Sequence, residues 1–204
     1  MNNDQYELSQ HIPKAAVYPL VEWLRKNQVQ LKISRARSTK LGDFRISSNG
    51  DSPRISVNHN LNPYAFLITL VHEMAHAEVW KKKSRFRRVL PHGKEWQTAF
   101  SLLMNPFLNE NIFPETLLPA VKKYFLKPKA SSVSDPHLMR ALKVFDEPAE
   151  NPQLNELVTG DKFIFRTMTY EVIKKMRTRF QCRNLQNNRL YLIHGLAEVE
   201  KLAE

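Results

Sequence analysis

Three histidines and one glutamate carry the chemistry that this sequence suggests. His72 and His76 are four residues apart with Glu73 between them, and His92 follows in a Pro-His-Gly run. On a helix, side chains four residues apart lie on one face, about 6 Å apart along the axis, so both imidazoles can reach one metal ion. Glu73 lies beside that face, where it can take a proton from a water molecule without binding the metal. The pattern is typical of a hydrolytic site that holds one zinc ion.

The residues alone leave two alternatives open. Histidines on a largely apolar helix can be ordinary core residues whose polar atoms are satisfied by their neighbours. Glu95 competes with His92 as third ligand, since a His-His-Glu set also binds zinc, although Glu95 could equally be solvated. The spacing to His92 differs from the metzincin pattern, in which the third histidine follows sooner. Because a catalytic zinc needs three protein ligands and an open position, we predict His72, His76 and His92 as ligands and Glu73 as the catalytic base.

Local patterns predict the elements that must position these residues. Asn62 is a suitable N-cap, Pro63 suits the first helical turn, and apolar residues recur at helical spacing over 62–80. A second helix over 94–104 would place His92 at its start. Further helices are predicted over 13–27 and 115–124, and short strands over 31–33, 43–46 and 54–58. We expect these strands to form a small sheet whose edge runs beside the metal and can pair with an extended peptide.

Several segments together resemble the SprT-like domain family, which includes the Spartan proteases. They are 54–58 leading to Asn-Pro at 62–63, 72–77 with Trp80, and 92–96, within a resemblance that covers roughly residues 10–127. The resemblance implies a zincin-like metalloprotease domain with zinc on His72, His76 and His92 and a catalytic Glu73. It also implies protein substrates attached to or crosslinked with DNA, whereas bacterial members are often described as transcription elongation proteins.

The C-terminal part departs from this family pattern. Bacterial members commonly carry a zinc ribbon with four cysteines, but this chain has one cysteine, Cys182, so only one zinc ion is expected. We predict an α+β chain with a metalloprotease domain over 1–127 and a cysteine-poor β module over 154–204. A Pro- and Ser-rich linker over 128–153 joins them, and it includes a short docked helix around 138–145. Strands over 161–165, 170–185, 189–193 and 197–202 are typical of a small SH3-like barrel.

Positive charge is the second functional signal. The net charge is +11, and seven basic residues lie between positions 81 and 94 without an acid among them. Such a run can be a solvated surface, but beside a hydrolytic site it favours non-specific binding of DNA through the phosphate backbone. The candidate nucleic-acid contacts are Lys81, Lys82, Lys83, Arg85, Arg87, Arg88, Arg177 and Arg179.

Composition narrows the class of protein. No apolar stretch approaches the roughly 18 residues that a membrane span needs, the first residues lack the features of a signal peptide, and one cysteine excludes an internal disulfide. We therefore expect a cytoplasmic protein, with nucleoid association as an option, and no membrane partner; the oligomeric state is not predicted. The predicted function is a zinc metallopeptidase that cleaves proteins on or crosslinked to DNA. The alternatives are a DNA- or transcription-elongation-associated factor with a non-proteolytic zinc site, and a metal-dependent hydrolase of small substrates.

Overall fold

Helices and two β-sheets make up the part of the chain that a computed structural model describes, which is residues 3–37, 39–46, 53–82, 90–126, 128, 135–146 and 151–202. The chain divides into two units, Met1–Glu147 and Pro148–Glu204. Within the described residues there are six α-helices, one three-stranded sheet and one five-stranded sheet. The predicted α+β class is confirmed.

The helices and the smaller sheet belong to the first unit. In chain order its elements are α1 (Asn3–Ser9), α2 (Lys14–Lys26), β1 (Gln30–Ser34), β2 (Gly42–Arg45), β3 (Arg54–Asn58), α3 (Pro63–Lys82), α4 (Lys94–Met104), α5 (Leu118–Phe125) and α6 (Pro136–Lys143). The sequence patterns do not predict α1. Helix α6 lies where a short docked helix is predicted, and its Leu138 and Leu142 are buried.

Strand β3 lies at the centre of the three-stranded sheet. It pairs in parallel with β1 and antiparallel with β2, so among the described strands β1 and β2 form the edges of this sheet. Ile55 and Val57 of β3 are fully buried, and α3 packs on β2, β3 and α4. Because side chains alternate along a strand, the other face of this sheet carries the polar residues.

Five antiparallel strands form the sheet of the second unit. They are β4 (Lys162–Phe165), β5 (Met168–Lys175), β6 (Arg179–Asn184), β7 (Leu190–His194) and β8 (Glu200–Lys201), in the order β7-β6-β5-β4-β8. Among the described strands β7 and β8 do not pair with each other, so the sheet is open and the expected barrel closure is not seen. Buried Cys182 lies in the core of this unit, where burial raises the pKa of its thiol to about 11.

One strand prediction is wrong. The segment 170–185 is not a single strand but a hairpin, because the chain turns between Lys175 and Arg179 and the Met176 N–H donates to the Arg179 carbonyl at 2.8 Å. Arg177 therefore lies in the turn rather than in a strand. The turn contains no Gly, Asn or Pro, and so it lacks the usual sequence signal.

Candidate metal centre

Helix α3 positions His72, Glu73 and His76. The helix begins at Pro63, and the Asn62 side chain caps it by accepting the N–H groups of Tyr64 at 3.1 Å and Ala65 at 2.9 Å. The Asn62 amide also donates to the Leu142 carbonyl at 3.0 Å and to the Asp146 carboxylate at 2.7 Å, which ties α6 to the start of α3. The predicted cap is confirmed.

His92 comes from the turn that precedes α4. Its φ of 59° lies in the left-handed region, which histidine adopts more readily than most residues. Gly93 follows as the N-cap of α4, and its N–H donates to the Leu90 carbonyl at 3.0 Å. A backbone held in a sparsely populated conformation next to a chemical group is a common feature of functional sites.

The three histidines meet at their Nε2 atoms. His72 and His76 are separated by 3.2 Å, His76 and His92 by 3.1 Å, and His92 and His72 by 3.2 Å. The Nε2 atom of an imidazole either donates or accepts, so three mutually adjacent Nε2 atoms cannot all form donor–acceptor pairs. At least one contact in this triangle is therefore repulsive, unless a cation lies between the three nitrogens and binds the lone pair of each.

The spacing of these nitrogens suits zinc. Tetrahedral zinc with bonds of about 2.0–2.1 Å separates its nitrogen ligands by about 3.3 Å, close to the observed distances. Among the described residues, these three histidines form the one group of potential ligands that converges on a single point. Glu95 is exposed and does not belong to that group, so the geometry selects His92 as the third candidate.

Trp96 of α4 contacts all three imidazoles. It is 1% exposed, and its ring centroid lies 4.7 Å from His72, 5.7 Å from His76 and 4.7 Å from His92. Its indole N–H also points to the His72 carbonyl at 3.4 Å. This packing restricts the orientation of the rings and excludes water from one side of the site.

Burial keeps the imidazoles neutral. Loss of solvation, together with the neighbouring imidazoles, lowers the pKa of His72 to about 3 and that of His76 to about 4. Burial also lowers the pKa of His92. Metal ligation requires the neutral ring, so the site is prepared for a cation at neutral pH.

Glu73 lies against the edge strand β2. Its side chain is buried, and a Cβ atom placed on Gly42 would come within 2.6 Å of the Glu73 Oε1 atom. The Phe44 backbone N–H donates to the carboxylate. Burial, and next the charge of Asp43, raises the pKa of Glu73 to about 8, while Arg37 and that N–H act in the opposite direction. The carboxyl is thus held where it readily takes up a proton.

Comparison with known protein families identifies the family to which the first unit belongs. The model of the SprT-like family matches residues 14–116, which is just over half of the 204 residues. The chain belongs to the SprT-like family. The matched region contains the sheet, α3 and α4 with all four residues of the centre. Neither the curated proteins nor the solved structures give a significant match.

Membership gives a general chemical class for this SprT-like chain. The family is broadly one of zinc-metallopeptidase-like proteins, which agrees with three clustered histidines and a neighbouring glutamate. Among the described helices of the SprT-like chain, none is long and apolar enough to cross a membrane.

The described candidate nucleic-acid residues of the SprT-like chain belong to both units. Lys81 contacts the Asn27 side chain and lies 5.6 Å from the Trp23 ring, and Lys82 pairs with Glu78 at 3.7 Å. Exposed Arg177 and Arg179 belong to the second unit. The remaining candidates, Lys83, Arg85, Arg87 and Arg88, lie outside the described residues.

Sequence reasoning missed the residues that surround Glu73 in the SprT-like domain. The predicted strand over 43–46 contains Phe44 but not Gly42, and nothing local links either residue to a glutamate about thirty positions later. Trp96 belongs to the apolar pattern that predicts the helix over 94–104, but this pattern does not indicate that its ring would pack on three imidazoles. A signal for Gly42 does exist, because a glycine inside a strand often marks the close approach of another chain segment.

Proposed function

We propose that this protein is a zinc-dependent metallopeptidase whose substrates are proteins bound to DNA or crosslinked with it. The observation that carries the proposal is the triangle of His72, His76 and His92 nitrogens beside Glu73, on a helix packed against an antiparallel edge strand. We infer from this arrangement that the domain is zincin-like.

The residues of the chain divide the chemical work between them. A zinc ion held by the three histidines would polarise a peptide carbonyl and lower the pKa of a water molecule to about 7. Glu73 accepts the proton of the attacking water on its carboxylate and delivers it to the nitrogen of the departing amine. A bound dication opposes the burial that raises the pKa of Glu73, and so favours the ionised form needed for the first transfer.

The edge strand supports a protein substrate over a small molecule. Strand β2 pairs on one side with β3, and no other described strand pairs with its second side, where an extended peptide can add by backbone hydrogen bonds. Because Phe44 of β2 donates to Glu73, a peptide on this edge would run close to the catalytic carboxylate. The net charge of +11 supports the association with DNA, since it favours binding of a polyanion.

The test compares wild type with Glu73→Gln. We expect purified wild type to contain one zinc ion per chain and to cleave a DNA-bound protein, with stimulation by DNA and loss of activity in chelator. Glu73→Gln should retain zinc and fold, because the amide has nearly the same shape, and should lose cleavage by several orders of magnitude.

The outcome also separates the rival functions. Zinc without cleavage by either protein would favour a binding factor with a non-proteolytic site. Cleavage by Glu73→Gln at the wild-type rate would overturn the role given to that residue. Cleavage that is indifferent to DNA would retain the peptidase and remove DNA from the proposal.

A further inference from the structure

The outer face of the three-stranded sheet carries a charged cluster that contains none of the candidate metal ligands. Since the inner face packs in the core, Lys32 of β1, Arg45 of β2 and Arg54 of β3 project from the opposite side. Together with Arg37 they line an open depression of about 200 Å³. The rest of its lining consists of Ser34, Ser56 and one acid, Asp43.

Among the described residues, acids neutralise only part of the positive charge of this depression. Asp43 already pairs with Lys40 at 2.8 Å and contacts Arg45. Within the described part of the chain, neither Lys32 nor Arg54 has an acidic partner within 4.0 Å. Two of the four cations that line the depression therefore lack a protein counter-ion there.

The strand register brings like charges next to each other on this face of the sheet. Arg45 and Arg54 lie directly opposite each other on paired strands. Lys32 lies one step diagonally from Arg54, because Gln30 is the direct partner of Arg54 on β1. Like charges at directly opposed positions destabilise a sheet. Such a pair reduces the stability of the sheet, and an anionic ligand is the partner that would reverse this effect.

Arg37 is already fixed in the depression. Its Nε atom donates to the buried Asn58 side chain at 2.8 Å, and its Nη1 atom donates to the Ser56 hydroxyl at 3.1 Å. The Asn58 amide in turn donates to the carbonyls of Arg37 at 3.2 Å and Lys40 at 3.0 Å. A guanidinium that is held before binding loses little freedom when a ligand arrives.

We propose that this surface, defined by Lys32, Arg37, Arg45 and Arg54, binds the phosphodiester backbone of a nucleic acid strand. Its lining has basic and hydroxyl groups, which are usual donors to phosphate, and the described residues of the lining include no aromatic side chain on which a base could stack. An acidic protein is less well matched, because the buried centre of a protein interface is normally apolar and aromatic. The inference extends the DNA-binding part of the proposed function but does not depend on peptide cleavage.

The test measures the binding of a fluorescent single-stranded oligothymidine to the full chain by anisotropy over a range of salt concentrations. The variant Lys32→Gln/Arg54→Gln removes two cations of the surface and leaves Arg37 and its hydrogen bonds intact. The control Lys122→Gln/Lys123→Gln removes two exposed cations from α5, so both variants have the same net charge.

We expect the sheet variant alone to bind more weakly. At 0.1 M salt the loss should be about 25-fold, and the slope of log K against log salt should fall by about 1.4, which corresponds to two lost phosphate contacts. Its melting temperature should not fall, because the substitution removes repulsion from the sheet.

Three results would overturn the assignment. The first is unchanged binding by the sheet variant, and the second is an equal loss in the α5 control, which would mean that only net charge matters. The third is displacement of the oligonucleotide by polyglutamate at the same concentration of charge, which would identify the surface as a site for acidic protein segments. All three measurements remain informative if the protein cleaves no peptide.

Discussion

Substitution of Gly42 by alanine should displace the carboxylate of Glu73, the proposed catalytic base, without touching a proposed metal ligand. The φ of Gly42 does not lie in the left-handed region, so alanine is compatible with the backbone and only space opposes it. The new Cβ would lie 2.6 Å from Glu73 Oε1, 2.8 Å from Glu73 Cγ and 2.8 Å from Thr69 Cγ2. Ordinary contacts begin at 3.4 Å, so the shortfalls are 0.8, 0.6 and 0.6 Å.

These overlaps set the size of the effect. All three atoms belong to α3, and two of them belong to Glu73, so either β2 and α3 separate by most of an ångström or the glutamate side chain leaves its position. Overpacking of this kind costs about 1–3 kcal/mol of stability. A displacement of about 1 Å at a catalytic group costs about a hundredfold in rate, and we expect a loss of 10- to 100-fold in kcat with zinc content unchanged.

The assay combines peptide cleavage, zinc content and denaturant unfolding. The control is Leu20→Ala at a fully buried position of α2. It should destabilise the fold by about 2–5 kcal/mol yet retain activity below its unfolding transition, because it leaves Glu73 and the three histidines unchanged. Thr69→Ser added to Gly42→Ala removes the Cγ2 contact but leaves both overlaps with Glu73, so it should recover only part of the stability and none of the rate. A Gly42→Ala enzyme with wild-type rate and wild-type stability would refute the reasoning.

Two further predictions concern the metal centre. Trp96→Leu should weaken zinc binding about 10- to 100-fold, because the imidazole rings lose the neighbour that orients them. The control Trp23→Leu on α2 should leave zinc affinity unchanged. Competition with a chromogenic chelator measures the zinc affinity of both variants. In the metal-free protein, His72 and His76 have lowered pKa values, so the stability they contribute is present above pH 6.5 and is lost as the pH falls towards 3. Glu73 has a pKa raised from 4.5 to about 8, so its contribution is present below pH 4.5 and is lost as the pH rises to 8. The melting temperature of metal-free wild type should therefore fall between pH 6.5 and 8, while that of Glu73→Gln stays level, and a parallel decline in both proteins would contradict this account.

Local signals were sufficient to predict the helix that carries two of the three candidate metal ligands. Asn62 and Pro63 mark the start of α3 through interactions that span only three residues, and the four-residue spacing of His72 and His76 then places both rings on one side. The sequence predicted His92 as the third ligand but did not exclude Glu95, because both residues lie near the start of α4. That choice depends on the φ of 59° at His92, which directs the chain into the site and is visible only in three dimensions.

The residues around the Glu73 carboxylate could not be predicted from the sequence for a different reason. It depends on a contact between Gly42 and Glu73, which are far apart in sequence and meet only because β2 packs on α3. The basic surface likewise depends on register, since Arg45 and Arg54 become neighbours only when β2 and β3 pair. The missed turn after Lys175 has a local cause, because its residues carry none of the usual turn chemistry.

Asn62 places an evolutionary constraint on two distant parts of the chain. Its side-chain oxygen caps α3 while its amide group donates to Leu142 and Asp146, so the position needs an acceptor and a donor on one short side chain. Aspartate would cap the helix equally well but would bring a second carboxylate against Asp146. Among relatives we therefore expect replacements at Asn62 to occur together with changes at Asp146, so that the start of the metal helix and the end of α6 vary as one unit.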